Sequence, residues 1–196
     1  MRPARCRITF SGNRLENRGL AMTDRILAAT DGSHAGNRAV DFAARLSDKL
    51  GHGLSIVHVY LHGRPPAEMM QLAETEQLYT HVAAAQNLTP RGQPANFLGL
   101  FASAAEEHEK ANAILAVGET ILDWAEHRAR DAGAQDVVTH LCAGDYADAI
   151  LKTADTENAA MIVIGRRGLG LVREILLGSV SQKVLHHAAC TVVVTQ

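Results

Sequence analysis

The chain has 196 residues, 47% of them hydrophobic, so it can bury one substantial core and one domain is the expected count. With 19 Lys and Arg against 21 Asp and Glu, it lacks the basic field that non-specific nucleic-acid binding requires. No apolar run approaches the roughly 18 residues of a membrane span, and no secretory signal is visible. The three cysteines have neither zinc-site spacing nor the density of a disulfide scaffold. We therefore predict a cytoplasmic protein in a reducing environment, with no nucleic-acid or membrane partner.

Residues 1–22 form a first segment that is rich in Arg, Asn and Gly and shows no sustained periodicity. Its acid-poor composition suits a basic arm or a transit segment, but it is more typical of a disordered leader or of a start codon assigned upstream of Met22. We predict no site residue there, and a single domain over residues 23–196.

Five apolar runs in the rest of the chain predict buried strands: RILAAT, LSIVHVY, DVVTHLC, AMIVI and TVVV. Stretches with helical spacing separate them. The first such stretch has Ser33 as its N-cap and Gly51 just past its end, and others end near Arg130, cover 145–157 and cover 179–187. Alternating strands and helices predict an α/β fold, with a doubly wound, mostly parallel five-stranded sheet and helices on both faces.

An extra segment at about residues 61–103 lies between the second and third predicted strands, where a simple crossover needs only about a dozen residues. A lid over the sheet, an oligomerisation element and a peripheral elaboration without an active role all remain open.

A glycine-rich stretch, GRRGLGLVREILLGSVS, follows the fourth predicted strand. Gly165 and Gly168 let backbone amides approach an anion closely, and Gly178 and Ser179 open the next helix, whose N-terminus favours negative charge. The hydroxyls of Ser179 and Ser181 are candidate further donors, and Arg166 and Arg167 are candidate phosphate contacts. The stretch is neither a Walker A loop, since it has no Gly-Lys-Ser/Thr, nor the Rossmann dinucleotide fingerprint, which follows the first strand. A mononucleotide site is the better interpretation.

These residues resemble the universal stress protein family. The resemblance rests on ILAATDGSHAGNRAVDFA, on LSIVHVY, and on the last fifty or so residues with their Gly-x2-Gly-x9-Gly-Ser spacing. It implies the Rossmann-like fold of the adenine nucleotide alpha hydrolases. Through Gly165, Gly168, Gly178 and Ser179 it implies the ATP-binding branch. The extra segment is longer than the link usual in the family.

The same resemblance implies the other residues of a nucleotide pocket. Asp31 would contact the ribose, the base or a nucleotide-bound Mg²⁺, and could equally make an Asx turn. Val59 would contact adenine through its backbone. The neighbours that complete the pocket are Ala29, Thr30, Val180 and Ser181. ATP, with Mg²⁺, is the expected ligand, and the protein itself is expected to contribute no metal site.

The last strand, Thr191 to Thr195, is expected to form an unpaired sheet edge, and the resemblance implies that it pairs with its twin in a homodimer. Three functions remain open: an ATP-binding regulatory module of the stress response, a slow ATP hydrolase or nucleotide-using enzyme, and an interaction module that binds no nucleotide. We favour the first. No catalytic residue is nominated because the ten histidines are scattered, and His58 is interpreted as a satisfied core or edge histidine.

Overall fold

The computed structural model describes residues 5–10, 24–60, 107–167 and 177–196. The strands within these ranges are β1 Arg5–Phe10, β2 Arg25–Ala29, β3 Gly53–Tyr60, β4 Val137–Ala143, β5 Ala159–Gly165 and β6 Thr191–Thr195. The helices are α1 His34–Leu50, α2 Glu107–Asp131, α3 Tyr146–Thr156 and α4 Ser179–His187. Each strand and helix predicted within these ranges is present, with boundaries within one or two residues of the prediction.

The strands form one sheet in the order β1-β4-β3-β2-β5-β6. All neighbours are parallel except β1, which runs antiparallel to β4. The predicted doubly wound, mostly parallel sheet is confirmed, with six strands instead of five. From β2 the chain adds β3 on one side of that strand and later β5 on the other. The direction in which strands are added therefore reverses at β2, and sheets of this kind bind ligands at such a switch point.

Two apolar layers cover the sheet, because successive side chains of a strand point to opposite faces. Ile26 and Ala28 of β2 pack with α1 and α2, whereas Leu27 and Ala29 pack with α3 and α4. All four side chains are buried. A strand buried on both faces reads as a continuous apolar run, which is why RILAA shows no alternation.

Helix α1 begins and ends at the residues that the sequence predicts. The Ser33 hydroxyl accepts a hydrogen bond from the Gly36 N–H, and Gly51 ends the helix in the left-handed conformation at φ 67°. This start matters for function, because it fixes the turn between β2 and α1.

The largest departure from the sequence-based prediction is β1. The sequence predicts a disordered or misannotated leader over 1–22, yet residues 5–10 pair with six residues of β4, from Arg5 opposite Ala143 to Phe10 opposite Val138. Cys6 is disulfide-bonded to Cys142, and Arg7 Nη1 lies 3.0 Å from Glu119 Oε1 of α2. This disulfide bond was not predicted, and it does not fit the reducing environment that the spacing of the cysteines suggested. The alternation of Cys6, Ile8 and Phe10 with polar residues is the signal that could have indicated this strand.

The extra segment at about 61–103 lies outside the described residues. Of the helices that are described, none combines the length and the apolar character needed to cross a membrane.

Candidate functional site

The predicted site residues at three strand ends lie side by side. Strand β2 runs between β3 and β5, with Ala29 paired to Val57 on one side and to Ile164 on the other. The carboxyl ends of these parallel strands therefore form one continuous edge. That edge carries the predicted residues Ala29, Thr30, Asp31, Val59, Gly165, Arg166 and Arg167.

The turn that leaves β2 is held by a dense set of short hydrogen bonds. The Thr30 N–H donates to Val57 O at 3.0 Å, and Thr30 Oγ1 accepts from the Gly32 N–H at 3.1 Å. Asp31 Oδ1 accepts from the Ser33 N–H at 3.0 Å, which is the Asx turn that the sequence suggested. The Asp31 carboxylate is thus fixed at the strand end and half-buried.

Helix α1 starts so close to this turn that only glycine fits at position 36. A Cβ on Gly36 would lie 2.7 Å from Asp31 Oδ1 and 2.8 Å from Thr30 Oγ1. No sequence signal marks Gly36, because a lone glycine near a helix start has no distinctive pattern. Its role is to let the helix pack against the Asp31 side chain.

Gly165, at the end of β5, also serves packing. A Cβ there would lie 2.9 Å from the carbonyl carbon of Ala35 and 3.0 Å from its oxygen. These are backbone atoms of α1, so they cannot move aside as a flexible side chain would. Gly165 is therefore required by the fold itself, whatever it contributes to a ligand.

The start of α4 is fastened to the end of β5. The Gly178 N–H donates to Arg166 O at 2.9 Å, and the Arg166 N–H donates to Thr195 O at 2.7 Å. The chain that leaves the sheet after Arg167 thus returns to the same place at Gly178. Gly165 and Gly178 therefore lie at one edge of the sheet. The N–H groups of Gly178 and Arg166 already donate hydrogen bonds within the protein, so neither is left for a ligand.

The first turn of α4 has donors without partners inside the helix. Its first internal hydrogen bond runs from the Gln182 N–H to Gly178 O, so the N–H groups of Ser179, Val180 and Ser181 have no acceptor within α4. The Ser181 hydroxyl differs from the prediction, since it donates to Gly165 O at 2.8 Å and is buried. It fastens helix to strand, whereas the Ser179 side chain is exposed.

Of the motif glycines that the structure describes, Gly178 is the one where an added Cβ would meet no close contact with the described residues. A Cβ there would lie 3.5 Å from Arg166 O and 3.6 Å from Arg167 Cα, which are ordinary contacts, and its φ of -69° suits any residue. Neither packing nor backbone conformation therefore demands glycine. Arg166 and Arg167 are half-buried beside it, and Gly168 lies outside the described residues.

His58, in β3, is the buried titratable group closest in sequence to Val59. Its Nδ1 lies 2.9 Å from Thr30 O, whereas its Nε2 has no hydrogen-bond partner. Burial lowers the pKa of His58, against the opposing effects of the Thr30 carbonyl and the Asp31 charge. The prediction of a satisfied histidine was therefore only half correct.

The described residues offer no cluster of three or more His, Cys, Asp or Glu side chains that could hold a metal ion. What the edge offers instead is backbone N–H groups, the fixed Asp31 carboxylate and the basic Arg166–Arg167 pair. Such a set can bind an anion that brings its own counter-ion.

Comparison with known proteins identifies the family. The sequence profile of the universal stress protein family matches residues 22–196. Universal stress protein YxiE of Bacillus subtilis is 30% identical over 175 residues, which cover 89% of this chain and all of that protein. A universal stress protein solved in complex with cAMP is similar in fold, with a TM-score of 0.55 and 23% identity over 89% of this chain and 97% of that one.

The universal stress protein of Archaeoglobus fulgidus, solved in complex with dAMP, is similar too. It has a TM-score of 0.53 and 22% identity, and the match covers 89% of this chain and 98% of that one. At these identities the two structures establish a shared fold. The family assignment rests on the profile and on the relative from Bacillus. The chain belongs to the universal stress protein family.

Proposed function

We propose that this protein binds ATP, with Mg²⁺, at the carboxyl edge of its sheet and acts as a regulatory module of the stress response. The observation that carries the proposal is that packing against the described residues does not require a glycine at position 178. This glycine stands at the start of α4 where the fold does not require one, beside three N–H groups that have no acceptor inside the helix. An anion at a helix N-terminus uses both features.

The remaining site residues suit the parts of an adenine nucleotide. The phosphates would lie between the Gly165–Gly168 segment and the start of α4, with Arg166 and Arg167 adding charge. Asp31 would meet the ribose, the base or Mg²⁺, since a bare carboxylate would repel a triphosphate. Adenine would lie against Ala29 and Thr30 and bond to the backbone of Val59. The two fold neighbours solved with cAMP and dAMP support the adenine part of this proposal.

A regulatory role requires that a partner distinguishes the nucleotide-bound protein from the nucleotide-free protein. A second copy of the chain, in a homodimer, is one such partner. Strand β6 pairs with β5 along one side. Its other side borders no strand of the described sheet. Pairing of Thr191–Thr195 with a second copy would satisfy that edge. Sedimentation equilibrium should give twice the monomer mass, and a monomer at all concentrations tested would contradict the dimer.

Titration calorimetry of nucleotide-free protein with MgATP tests the proposal directly. We expect saturable one-to-one binding, and a loss of at least about 100-fold in affinity for Gly178→Val, because the added side chain fills the phosphate space and removes charge-assisted bonds. His186→Val, at the exposed end of the same helix, is the matched control. Gly165→Val is unsuitable, since it collides with Ala35 before any ligand is involved.

The same titrations with cAMP and dAMP decide which adenine nucleotide is bound. Tighter binding of a monophosphate would replace ATP as the ligand and keep the site. No binding of any of the three would contradict the proposal and favour an interaction module. Phosphate release proportional to protein, and lost in Gly178→Val, would instead indicate a slow hydrolase.

A further inference from the structure

The buried imidazole of His58 lies directly behind the turn that carries Asp31. The side chain is only 2% exposed, and its Nδ1 is 2.9 Å from the backbone oxygen of Thr30. Thr30 is itself buried and also bonds through its N–H to Val57 and through its hydroxyl to Gly32. The His58 ring therefore provides the partner for the Thr30 carbonyl, the last backbone oxygen before Asp31.

The other edge of the ring faces an apolar wall. A Cβ on Gly118 of α2 would lie 3.2 Å from His58 Cδ2 and 3.7 Å from Nε2, and its nearest other neighbour would be Leu141 of β4. Nε2 has no hydrogen-bond partner among the described residues. Within the same part of the chain, the charged group that acts on the ring is Asp31 of the β2–α1 turn. A second proton on the ring would be buried at Nε2 without an acceptor, so the neutral ring with its proton on Nδ1 fits the site.

We propose that His58 is a positioning residue of the nucleotide site, whose Nδ1–H holds the Thr30 carbonyl and thereby sets the Thr30–Ser33 turn. Without this donor the buried Thr30 carbonyl loses its partner, and the turn relaxes toward one that water can reach. Asp31 then loses the orientation that its bond to Ser33 gives it. The proposal deepens the nucleotide-binding function and rests on it for its effect on affinity.

Two variants separate positioning from packing. His58→Asn places an amide donor near the position of Nδ1, whereas His58→Leu has similar bulk and no donor. Amide hydrogen exchange of Gly32 and Ser33, measured without nucleotide, should accelerate about tenfold in His58→Leu, the equivalent of one hydrogen bond. The affinity for MgATP should fall by about the same factor. In His58→Asn we expect both quantities to stay within about threefold of wild type.

Each outcome decides the proposal. Unchanged exchange in His58→Leu, or equal losses in the Leu and Asn variants, overturns it. If wild type binds no nucleotide, the proposed function fails while the exchange measurement still decides whether His58 holds the turn. If His58→Leu does not fold, nitrogen-15 NMR of the wild-type imidazole decides, because a proton found on Nε2 would leave Nδ1 unable to donate to Thr30.

Discussion

The two ends of the parallel sheet use different chemistry. At the amino end, Arg25 Nη1 lies 2.6 Å from Asp136 Oδ2, and its Nε lies 2.9 Å from the hydroxyl of Ser55 and 3.3 Å from Glu157 Oε2. Ser55 also donates to Glu157 at 3.0 Å, and His140 Nε2 lies 3.5 Å from the other oxygen of that carboxylate. At the carboxyl end, the β2–α1 turn and the junction of β5 with α4 are held by backbone groups and hydroxyls instead.

This difference assigns the stability of the fold mainly to the amino end of the sheet and ligand binding to the carboxyl end. Charges at the amino end are bonded to one another within the chain, so they contribute to folding and leave little for a ligand. The carboxyl end keeps helix N–H groups that have no acceptor inside α4, and a glycine at position 178 that packing against the described residues does not require. Both features contribute little to folding and suit an anion. Substitutions at the amino end should therefore change unfolding but not nucleotide affinity.

The largest expected effect is that of breaking the Cys6–Cys142 bond. Its reduction tests whether the free energy of unfolding can be lowered, by a change beside the carboxyl end, while nucleotide binding is kept. Because the bond joins residues 136 positions apart, reduction should lower the free energy of unfolding by about 4 kcal/mol. Urea unfolding with and without reductant measures this change. Cys6→Ser should reproduce it, and Cys190→Ser, which removes the free cysteine, should not.

ATP affinity should change less than about twofold on reduction, because neither cysteine is assigned to the ligand. A large loss of ATP affinity would show that β1 supports the site. It would also contradict the assignment of stability and binding to different parts of the sheet. No change in unfolding would mean that the bond contributes nothing to stability.

The next effect is that of Arg25→Met. The substitution keeps much of the side-chain bulk and leaves Glu157 without its guanidinium partner, so we expect a loss of about 3 kcal/mol. ATP affinity should not change. Lys49→Met, which breaks the exposed pair with Asp48, is the control and should cost less than about 0.5 kcal/mol. Equal effects of the two variants would contradict a structural role for the amino-end network.

The smallest effect is the pH dependence due to Glu157. The His140 imidazole, whose Nε2 lies 3.5 Å from Oε1, lowers the pKa of Glu157 together with the Ser55 hydrogen bond and the Arg25 guanidinium, against the opposing effect of burial. A depressed carboxylate stabilises the fold above the ordinary glutamate pKa and loses that contribution as pH falls through the folded-state value.

Unfolding free energies measured across the acidic range should therefore fall less steeply in Glu157→Gln than in wild type. Glu119→Gln, which removes an exposed carboxylate paired with Arg7, is the control for the loss of one charge. A slope in Glu157→Gln equal to that of wild type would remove Glu157 from the network.

Much of the candidate site could be predicted because its signals are local. The runs that form β2, β3 and β5 are continuous and apolar, the helix caps at Ser33 and Gly51 follow known preferences, and the glycine spacing marks the start of α4. The roles within the site were harder to assign. Gly165 packs against Ala35, which belongs to a helix distant in sequence. The Ser181 hydroxyl donates to Gly165 O, which lies at the end of a strand.

The sequence by itself determined the order of elements, the parallel sheet, the family and the edge where the predicted residues collect, because periodicity and short motifs depend on neighbouring residues. Only the tertiary structure decided the pairing of β1 with β4, the Cys6–Cys142 bond and the contact of His58 with Thr30. These contacts join residues from 28 to 138 positions apart. Such contacts depend on which surfaces meet when the chain packs, and no local pattern encodes that choice.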